Sequence, residues 1–333
     1  MQMLYSKARA MHGWIILDKP LGLGSTQGVS AVKRALRNGG YGKFKVGHGG
    51  TLDPLATGVL PIAVGEATKL AGRMLDSDKI YDFTIRFGEQ TDTLDAEGKV
   101  IAASEVRPTS EQVEAVLPVF TGPIEQVPPI YSALKVDGER AYDLARAGEE
   151  VVLAKRAVTI HSLQLRHPSE GWDRVGKGER PVASDPSLRW GDDGAREEEL
   201  AEITFTAHVS KGTYIRSLAR DIALALGTVG HVVMLRRIKA GPFTLDAAIS
   251  LDKLDEMAKA HALEHALLPL TAGLDDIPAL PVSPDQAGSL RMGRKLIGIA
   301  ATPGLHLAID QNGPVALVEV SGPEIRVVRG FNL

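Results

Sequence analysis

Residues 47–61 constrain the fold of this chain more than any other stretch. They read GHGGTLDPLATGVLP and place one histidine and one carboxylate, Asp53, among glycines and prolines. Glycine permits backbone conformations and close approaches that other residues exclude, so the stretch predicts a tightly turned loop. Asp-Pro and Gly-Gly are also common in ordinary turns. From these residues alone, a structural turn and a loop that presents a catalytic acid are equally compatible with the pattern.

Length and composition are those of an ordinary globular protein. The chain has 333 residues, of which 44% are hydrophobic and 24% charged, enough for two domains. It has no cysteine, which excludes disulfides and thiolate metal sites. The sequence has no apolar run of bilayer-spanning length and no secretory apolar segment at its start. We therefore expect a cytoplasmic protein that makes no membrane contact.

Basic residues concentrate in two regions, although the net charge is −3. Residues 1–80 carry eleven Lys or Arg against five acids, and residues 211–241 carry six against one. Local basic surfaces, rather than total charge, govern phosphate binding. Charge alone is compatible both with a nucleic-acid contact and with solvated surface.

Hydrophobic periodicity predicts an α+β fold with a mixed sheet. Val29, Val32, Ala35 and Leu36 recur at helical spacing, which predicts a helix with Ser25 or Thr26 as its N-cap. Further helices are predicted from 109 onward and at 215–226. Strands are predicted at 13–18, 79–88, 157–166 and 201–209, with short strands after 278. Residues 167–199 are rich in proline, glycine and charge, which predicts a mobile hairpin insertion.

Five segments together resemble the TruB family of tRNA pseudouridine synthases, of the bacterial type. They are 13–22, 47–69, 79–95, 126–148 and 210–237, and their order and spacing agree with the family. The resemblance implies a pseudouridine-synthase core at 1–276, built on a mostly antiparallel mixed sheet with flanking helices. It also implies a small β-rich, PUA-like RNA-binding domain at 277–333.

The implied activity is isomerisation of uridine 55 in the T loop of tRNA to pseudouridine, without cofactor or metal. The base is flipped out, its glycosidic bond is broken, and C5 is joined to C1′. The implied partner is the T arm of tRNA, with the acceptor stem reached through the C-terminal domain. We expect a monomer.

The resemblance places Asp53, Tyr81 and Arg216 at the catalytic centre. Asp53 has three routes open to it: attack on C1′, attack on C6, or removal of a C2′ proton to give a glycal. Tyr81 would stack on the uracil and take the C5 proton, although aromatic residues in strands usually pack in a core. Arg216 would hold Asp53 in a two-pronged salt bridge, despite a helix start that disfavours cations.

Other positions match residues that contact RNA or support the pocket. His48 would occupy the place that the flipped uridine vacates, by stacking and hydrogen bonding; a turn residue is the alternative. No second histidine or acid lies at metal-ligand spacing from it, which argues against a metal site. Tyr214 and Leu235 match pocket-lining positions, which would also suit a core. Residues expected to contact the RNA backbone or support the pocket are Lys19, Pro20, Lys69, Lys135 and Arg236.

The chain departs from the family pattern at Gly24 and Gly49, where many members carry threonine. Gly49 would make the loop around His48 more permissive. Two other functions compete with the synthase: a tRNA-folding chaperone that uses the same surface, and a guide-RNA-dependent relative in a multi-protein particle. The presence of Asp53, Tyr81 and Arg216 together argues against a protein that only binds RNA. The lack of basic terminal extensions argues against the guide-RNA-dependent relative.

Overall fold

The computed structural model describes residues 11–132, 134–136, 138–148, 151–166 and 199–333. The predicted hairpin insertion lies almost wholly outside the described residues, as does the side chain of Lys135. The strands are β1 (Gly13–Lys19), β2 (Val46–His48), β3 (Ala56–Val64), β4 (Lys79–Phe87), β5 (Glu89–Thr91), β6 (Val100–Ala103), β7 (Gly122–Gln126), β8 (Lys135–Val136), β9 (Glu139–Arg140), β10 (Arg156–Leu165), β11 (Glu202–Val209), β12 (Gly230–Ala240), β13 (Phe243–Thr244), β14 (Ala248–Ile249), β15 (Leu268–Pro269), β16 (Ala279–Pro281), β17 (Leu296–Ile297), β18 (Gly304–Asp310), β19 (Gly313–Ser321) and β20 (Glu324–Gly330).

The α-helices are α1 (Ser25–Asn38), α2 (Ala71–Asp76), α3 (Ser110–Val116), α4 (Ala141–Arg146), α5 (Ile215–Ala225), α6 (Leu251–Lys259) and α7 (Pro284–Arg291). Short 3₁₀ helices occur at Gly65–Leu70, Leu117–Phe120, Leu245–Ala247, Leu263–Ala266 and Leu270–Gly273. Each described helix is too short or too polar to cross a lipid bilayer. The strands predicted at 13–18, 79–88, 157–166 and 201–209 and the helix predicted at 215–226 are present with boundaries shifted by at most one residue, and α1 and α3 form where helices were predicted. The predicted α+β class with a mixed sheet is confirmed.

The start of α1 differs from the prediction. Gly24 occupies the N-cap, and its backbone N–H donates to Gln27 Oε1 at 2.7 Å. The prediction of Ser25 or Thr26 as the N-cap is wrong, because the Ser25 hydroxyl is committed to the backbone of Leu52 instead.

Residues 11–79 and 236–333 belong to one compact unit. Its sheet has the order β14-β1-β3-β12, where β12 contributes its residues after 235. Strand β1 runs antiparallel to β3 from Gly13↔Val64 to Lys19↔Gly58 and parallel to β14, so the sheet is mixed. Strand β2 lengthens the sheet beside β3, with His48 opposite Ile62. The loop between β2 and β3 therefore has both of its ends on strands of this sheet.

The C-terminal part of this unit is β-rich. Its five strands have the order β16-β18-β19-β20-β17 and bury their own apolar cluster with α7. Leu307, Leu317 and Phe331 belong to a second cluster that also contains Trp14 and Phe243. The C-terminal sheet therefore shares a hydrophobic core with the residues around β1. The predicted domain boundary at 276/277 and the PUA-like assignment stay predictions.

The described residues between 80 and 235 form the other compact unit. Its strands follow the order β12-β4-β11-β10-β7, with β12 contributing its residues before 236. The long hairpin β10–β11 pairs Leu163 with Ala207, and the rings of Phe83 and Phe205 stack with centroids 5.2 Å apart. The apolar face of α5 is buried, which fixes the start of that helix.

Candidate active site

The loop between β2 and β3 carries Asp53. The backbone turns there, with Ala56 N–H donating to Asp53 O at 3.0 Å. Leu52 is buried, whereas Asp53 is only half-buried and Thr51 is exposed. The loop therefore holds its apolar residue inward and leaves Asp53 partly accessible.

Two side chains of the β1–α1 region anchor the middle and end of this loop. The Ser25 hydroxyl accepts from Leu52 N–H at 2.7 Å and donates to Leu52 O at 2.9 Å. Lys19 has no exposed surface, and its Nζ donates to the carbonyls of Pro20, Leu23 and Pro54 at 3.0, 2.6 and 3.3 Å. Pro20 itself is exposed. Lys19 thus ties the residue after Asp53 to the turn that follows β1.

Arg237 anchors the beginning of the loop. Its side chain is buried, with 1% of the residue exposed. Nη2 donates to Gly50 O at 3.2 Å, Nη1 to Thr51 O at 3.3 Å, and Nε to Val59 O at 2.7 Å. Asp53 consequently sits on a backbone that is fixed on both sides by buried cations.

His48 lies immediately before the loop, at the end of β2. Its ring is partly buried, and within the described residues Nδ1 has no hydrogen-bond partner. Burial lowers the pKa of His48 below its ordinary value, and the positive charge of Arg237 lowers it further. At neutral pH the imidazole is therefore uncharged.

Arg236 and Lys69 are bound to acidic side chains. Arg236 donates in bidentate fashion to both carboxylate oxygens of Asp18, at 3.0 and 2.8 Å. Lys69 Nζ lies 2.6 Å from Glu66 Oε2 and donates to Gly330 O at 2.8 Å. Lys69 thus joins the 3₁₀ helix at Gly65–Leu70 to the last strand of the C-terminal sheet.

In the other unit, Arg216 is the second residue of α5 and is 6% exposed. Its Nη1 lies 3.2 Å from Asp95 Oδ2 and donates to Thr93 O at 2.8 Å. Nη2 donates to Tyr131 O at 3.0 Å. The unfavourable position of a cation at a helix start is thus offset by a buried carboxylate and two carbonyls. The Asp53–Arg216 salt bridge implied by the resemblance stays a prediction.

Asp95 is itself held by a strained segment. It is 2% exposed and accepts from Thr93 Oγ1 at 2.6 Å and from Glu97 N–H at 3.1 Å. The preceding Leu94 has φ = +62°, in the left-handed region that leucine rarely enters. Strain of this kind concentrates at functional sites, where surrounding contacts hold it in place.

Tyr214 caps α5, and its N–H donates to Gln126 Oε1 at 2.8 Å. That bond fixes the orientation of the Gln126 amide, whose Nε2 is buried and has no partner among the described residues. Tyr81 lies half-buried on β4, and Leu235 is buried on β12. Each of the two units therefore contains part of the predicted site residues.

Sequence reasoning missed four residues of these groups. They are Asp18, Asp95, Gln126 and Arg237. Asp95 and Gln126 lie inside segments that resemble the family, and Arg237 directly follows the predicted Arg236. Asp18 ends the apolar run 13–18, and that context could have singled it out, whereas the other three lie in mixed or polar stretches.

Comparisons with known proteins show the family to which the chain belongs. The model of the TruB family pseudouridylate synthase N-terminal domain matches residues 35–175, and that of the tRNA pseudouridylate synthase B C-terminal domain matches residues 216–275. The "tRNA pseudouridine synthase B" of Novosphingobium aromaticivorans is 60% identical, covering 96% of this chain and 97% of its own. That of Zymomonas mobilis is 58% identical, covering 98% of both chains.

A solved structure shares the fold at lower identity. It is described as "Structure of H/ACA RNP bound to a substrate RNA containing 2'-deoxyuridine", with a TM-score of 0.66 and 21% identity over 97% of this chain and 86% of that one. The archaeal "Nop10-Cbf5 complex" gives a TM-score of 0.65 at the same identity and coverage. Because the two family models and the near-full-length relatives agree with one another, the chain belongs to the TruB family of pseudouridylate synthases.

Proposed function

We propose that this protein converts uridine 55 in the T loop of tRNA to pseudouridine. The N1–C1′ bond of the flipped nucleotide breaks, the base turns, and a C5–C1′ bond forms. The C5 proton leaves to a base, and N1 ends protonated, so the reaction is an isomerisation that needs no external reactant. The names of the relatives at 60% and 58% identity support tRNA as the substrate.

The observation that carries the proposal is the fixed loop around Asp53. Hydrogen bonds from Lys19, Ser25 and Arg237 reach the backbone of Gly50, Thr51, Leu52 and Pro54. Asp53 is a half-buried residue at the centre of this loop. A rigidly placed acid suits all three routes, because each requires one carboxylate oxygen near the ribose or the base.

We propose that four residues of the other unit serve the same reaction, as the family resemblance implies: Arg216, Tyr81, Tyr214 and Leu235. Arg216 is oriented by Asp95 and two carbonyls, so its guanidinium plane is preset for a carboxylate or phosphate. Tyr81 offers a ring for stacking on the flipped base and a hydroxyl for the C5 proton. Tyr214 and Leu235 supply apolar walls of the pocket.

His48 is proposed to fill the gap that the extruded uridine leaves in the T loop. An uncharged imidazole stacks on bases without the cost of desolvating a charge, and burial and Arg237 both keep it uncharged. Its Nδ1 is itself buried and has no hydrogen-bond partner among the described residues. Acid–base work in the isomerisation then falls to other residues.

The contacts of the remaining predicted residues separate those that support the loop from those that could reach RNA. Lys19 is fully buried, so we propose that it supports the loop and makes no RNA-backbone contact. Pro20 and Lys69 are reachable from solvent, whereas Arg236 is largely engaged by Asp18. Lys135 stays a proposed RNA contact. We propose a monomer that grips the T arm and, through the C-terminal sheet, the acceptor stem.

The test is tritium release from a tRNA transcript made with [5-³H]uridine, for wild type and Asp53→Asn. Wild type should release one equivalent of tritium, and Asp53→Asn should release none while still binding tRNA. A transcript with cytidine at position 55 should release none with wild type. Release from that transcript would contradict the position, and binding without release by wild type would favour the tRNA-folding chaperone.

A further inference from the structure

Arg237 differs from Arg216 and Arg236 in the kind of group that surrounds its buried guanidinium. Arg216 lies beside Asp95 and Arg236 beside Asp18. Among the described residues, the hydrogen-bond acceptors of the Arg237 guanidinium are the carbonyls of Gly50, Thr51 and Val59, with no carboxylate. A buried charge without a counter-charge is costly, so its presence calls for a reason beyond packing.

The backbone of Arg237 on β12 lies in close contact with β3. A Cβ on Gly58 would lie 2.2 Å from Arg237 O, and Gly58 has φ = +98°. Glycine is therefore required at position 58 for β3 to approach β12 this closely. Adjacent residues of a strand face opposite sides, so Arg236 reaches Asp18 while Arg237 reaches beneath the Asp53 loop.

Lys79 shows what a purely structural buried cation looks like in the same unit. It is 7% exposed, and its Nζ donates to the carbonyls of Met74, Leu75 and Ser77 at the end of α2. A helix C-terminus is negative and stabilises a cation by itself. The acceptors of Arg237 belong instead to the loop that carries Asp53 and to the strand that follows it.

We propose that Arg237 is a positioning residue of the pseudouridine synthase site. Its hydrogen bonds are required to hold the loop that places Asp53, and its positive charge is required to keep the His48 imidazole neutral. Its bonds to Gly50 and Thr51 set the path of the backbone two and three residues before Asp53. Its charge acts on the neighbouring imidazole of His48. This inference rests on the proposed function and identifies a residue that the reaction uses without contact to the RNA.

The test compares Arg237→Gln, Arg237→Lys and the matched control Lys79→Met. The first readout is the titration of His48, followed by NMR of ¹³C,¹⁵N-histidine-labelled protein and assigned with His48→Asn. The second is the single-turnover rate of tritium release at saturating enzyme, corrected for the folded fraction. The NMR readout needs no activity, so it reports on Arg237 even if wild type releases no tritium.

Arg237→Gln should move the His48 titration to higher pH and lower the single-turnover rate by about 100-fold, as expected for a displaced catalytic group. Arg237→Lys should keep the His48 titration near that of wild type and lower the rate less. Lys79→Met should lower thermal stability without moving the titration.

Either of two results would overturn the proposal. The first is that the His48 titration in Arg237→Gln matches that of wild type and that this variant releases tritium at least as fast as Lys79→Met. The other is a wild-type rate in Arg237→Gln. If Arg237→Gln does not fold, the test is made with Arg237→Lys alone. A lower rate of tritium release at unchanged KM then supports the positioning role, and an unchanged rate with a raised KM refutes it.

Discussion

Position 49 shows how a single residue in the loop is dictated by packing. A Cβ built on Gly49 would lie 2.6 Å from Met74 Cβ and 3.0 Å from Met74 Cγ. Gly49 is buried, and Met74 is 3% exposed. From the sequence alone, Gly49 is expected to make the loop around His48 more permissive. The structure indicates the opposite, because glycine is what lets the segment after β2 lie tightly against α2.

Gly49→Ala should therefore destabilise the protein. Overpacking of a filled core costs about 1–3 kcal/mol, since either the loop or Met74 must move. Gly47→Ala is the matched control, because a Cβ there meets no atom within 4 Å and its backbone is extended. The measurement is the free energy of unfolding in urea for both variants. Equal stability of the two variants would refute the packing argument.

At this scale, local sequence motifs predicted the positions of Asp53 and His48 but not the residues that hold them. Asp18 and Arg236 are 218 residues apart in the chain, and Arg237 is 186 residues from Thr51. No periodicity or turn pattern reports on such pairs. They become visible when β1, β3 and β12 are brought side by side in the sheet.

At the scale of elements, the start of α5 combines a helix end, an arginine and a buried acid. Asp95 and Arg216 side chains are 3% and 7% exposed. Breaking a buried ion pair costs about 3–5 kcal/mol, because the remaining charge is left uncompensated. Asp95→Asn keeps an acceptor for Arg216 and removes the charge, so its cost should approach the lower end of that range.

Asp95→Asn should also lower the single-turnover rate of tritium release, because Arg216 loses the partner that orients it. Glu202→Gln is the control: it breaks the Arg86–Glu202 pair in the same unit, whose side chains are 50% and 43% exposed. An exposed pair contributes about 0–1 kcal/mol, so this variant should resemble wild type. Thermal unfolding and tritium release would be measured for both. Identical behaviour of the two variants would exclude the positioning of Arg216 by Asp95.

Elements with clear periodicity, such as β1 and α5, were predictable from the sequence, whereas β3 was not. Residues 56–64 contain Gly58 and Pro61, which are typical of turns. They nevertheless form a strand, and its residues from Gly58 to Val64 pair with β1. Tertiary pairing overrides the local preference, and Gly58 is used for the close approach to Arg237.

At the scale of the whole molecule, the C-terminal sheet is tied to the residues around β1 by more than its linker. Leu307, Leu317 and Phe331 share a cluster with Trp14, and Asn332 N–H donates to Glu66 Oε2 at 2.8 Å. Removing residues 277–333 would expose this cluster. Truncation is therefore a poor test of whether the sheet binds RNA, and surface substitutions are the better one.

The proposed grip on the acceptor stem predicts a loss of affinity when exposed cations of that sheet are removed. Lys295 and Arg326 have 54% and 71% exposed side chains and flank Glu324, and the hydrogen bonds and charges of both lower the pKa of Glu324 to about 2. At neutral pH these three residues therefore carry a net positive charge. Phosphate contacts of this kind supply affinity that falls with added salt.

The double variant Lys295→Gln/Arg326→Gln should raise KM for full-length tRNA several-fold and leave kcat unchanged. It should also reduce the salt dependence of binding by about one unit of slope for each phosphate that is no longer neutralised. An isolated T-arm hairpin should be modified as by wild type, since it has no acceptor stem. Lys253→Gln is the control, because it removes an exposed cation from α6, outside the C-terminal sheet. Equal losses on tRNA and on the hairpin would place the contact on the T arm instead, and no loss on either would refute the role of these two cations.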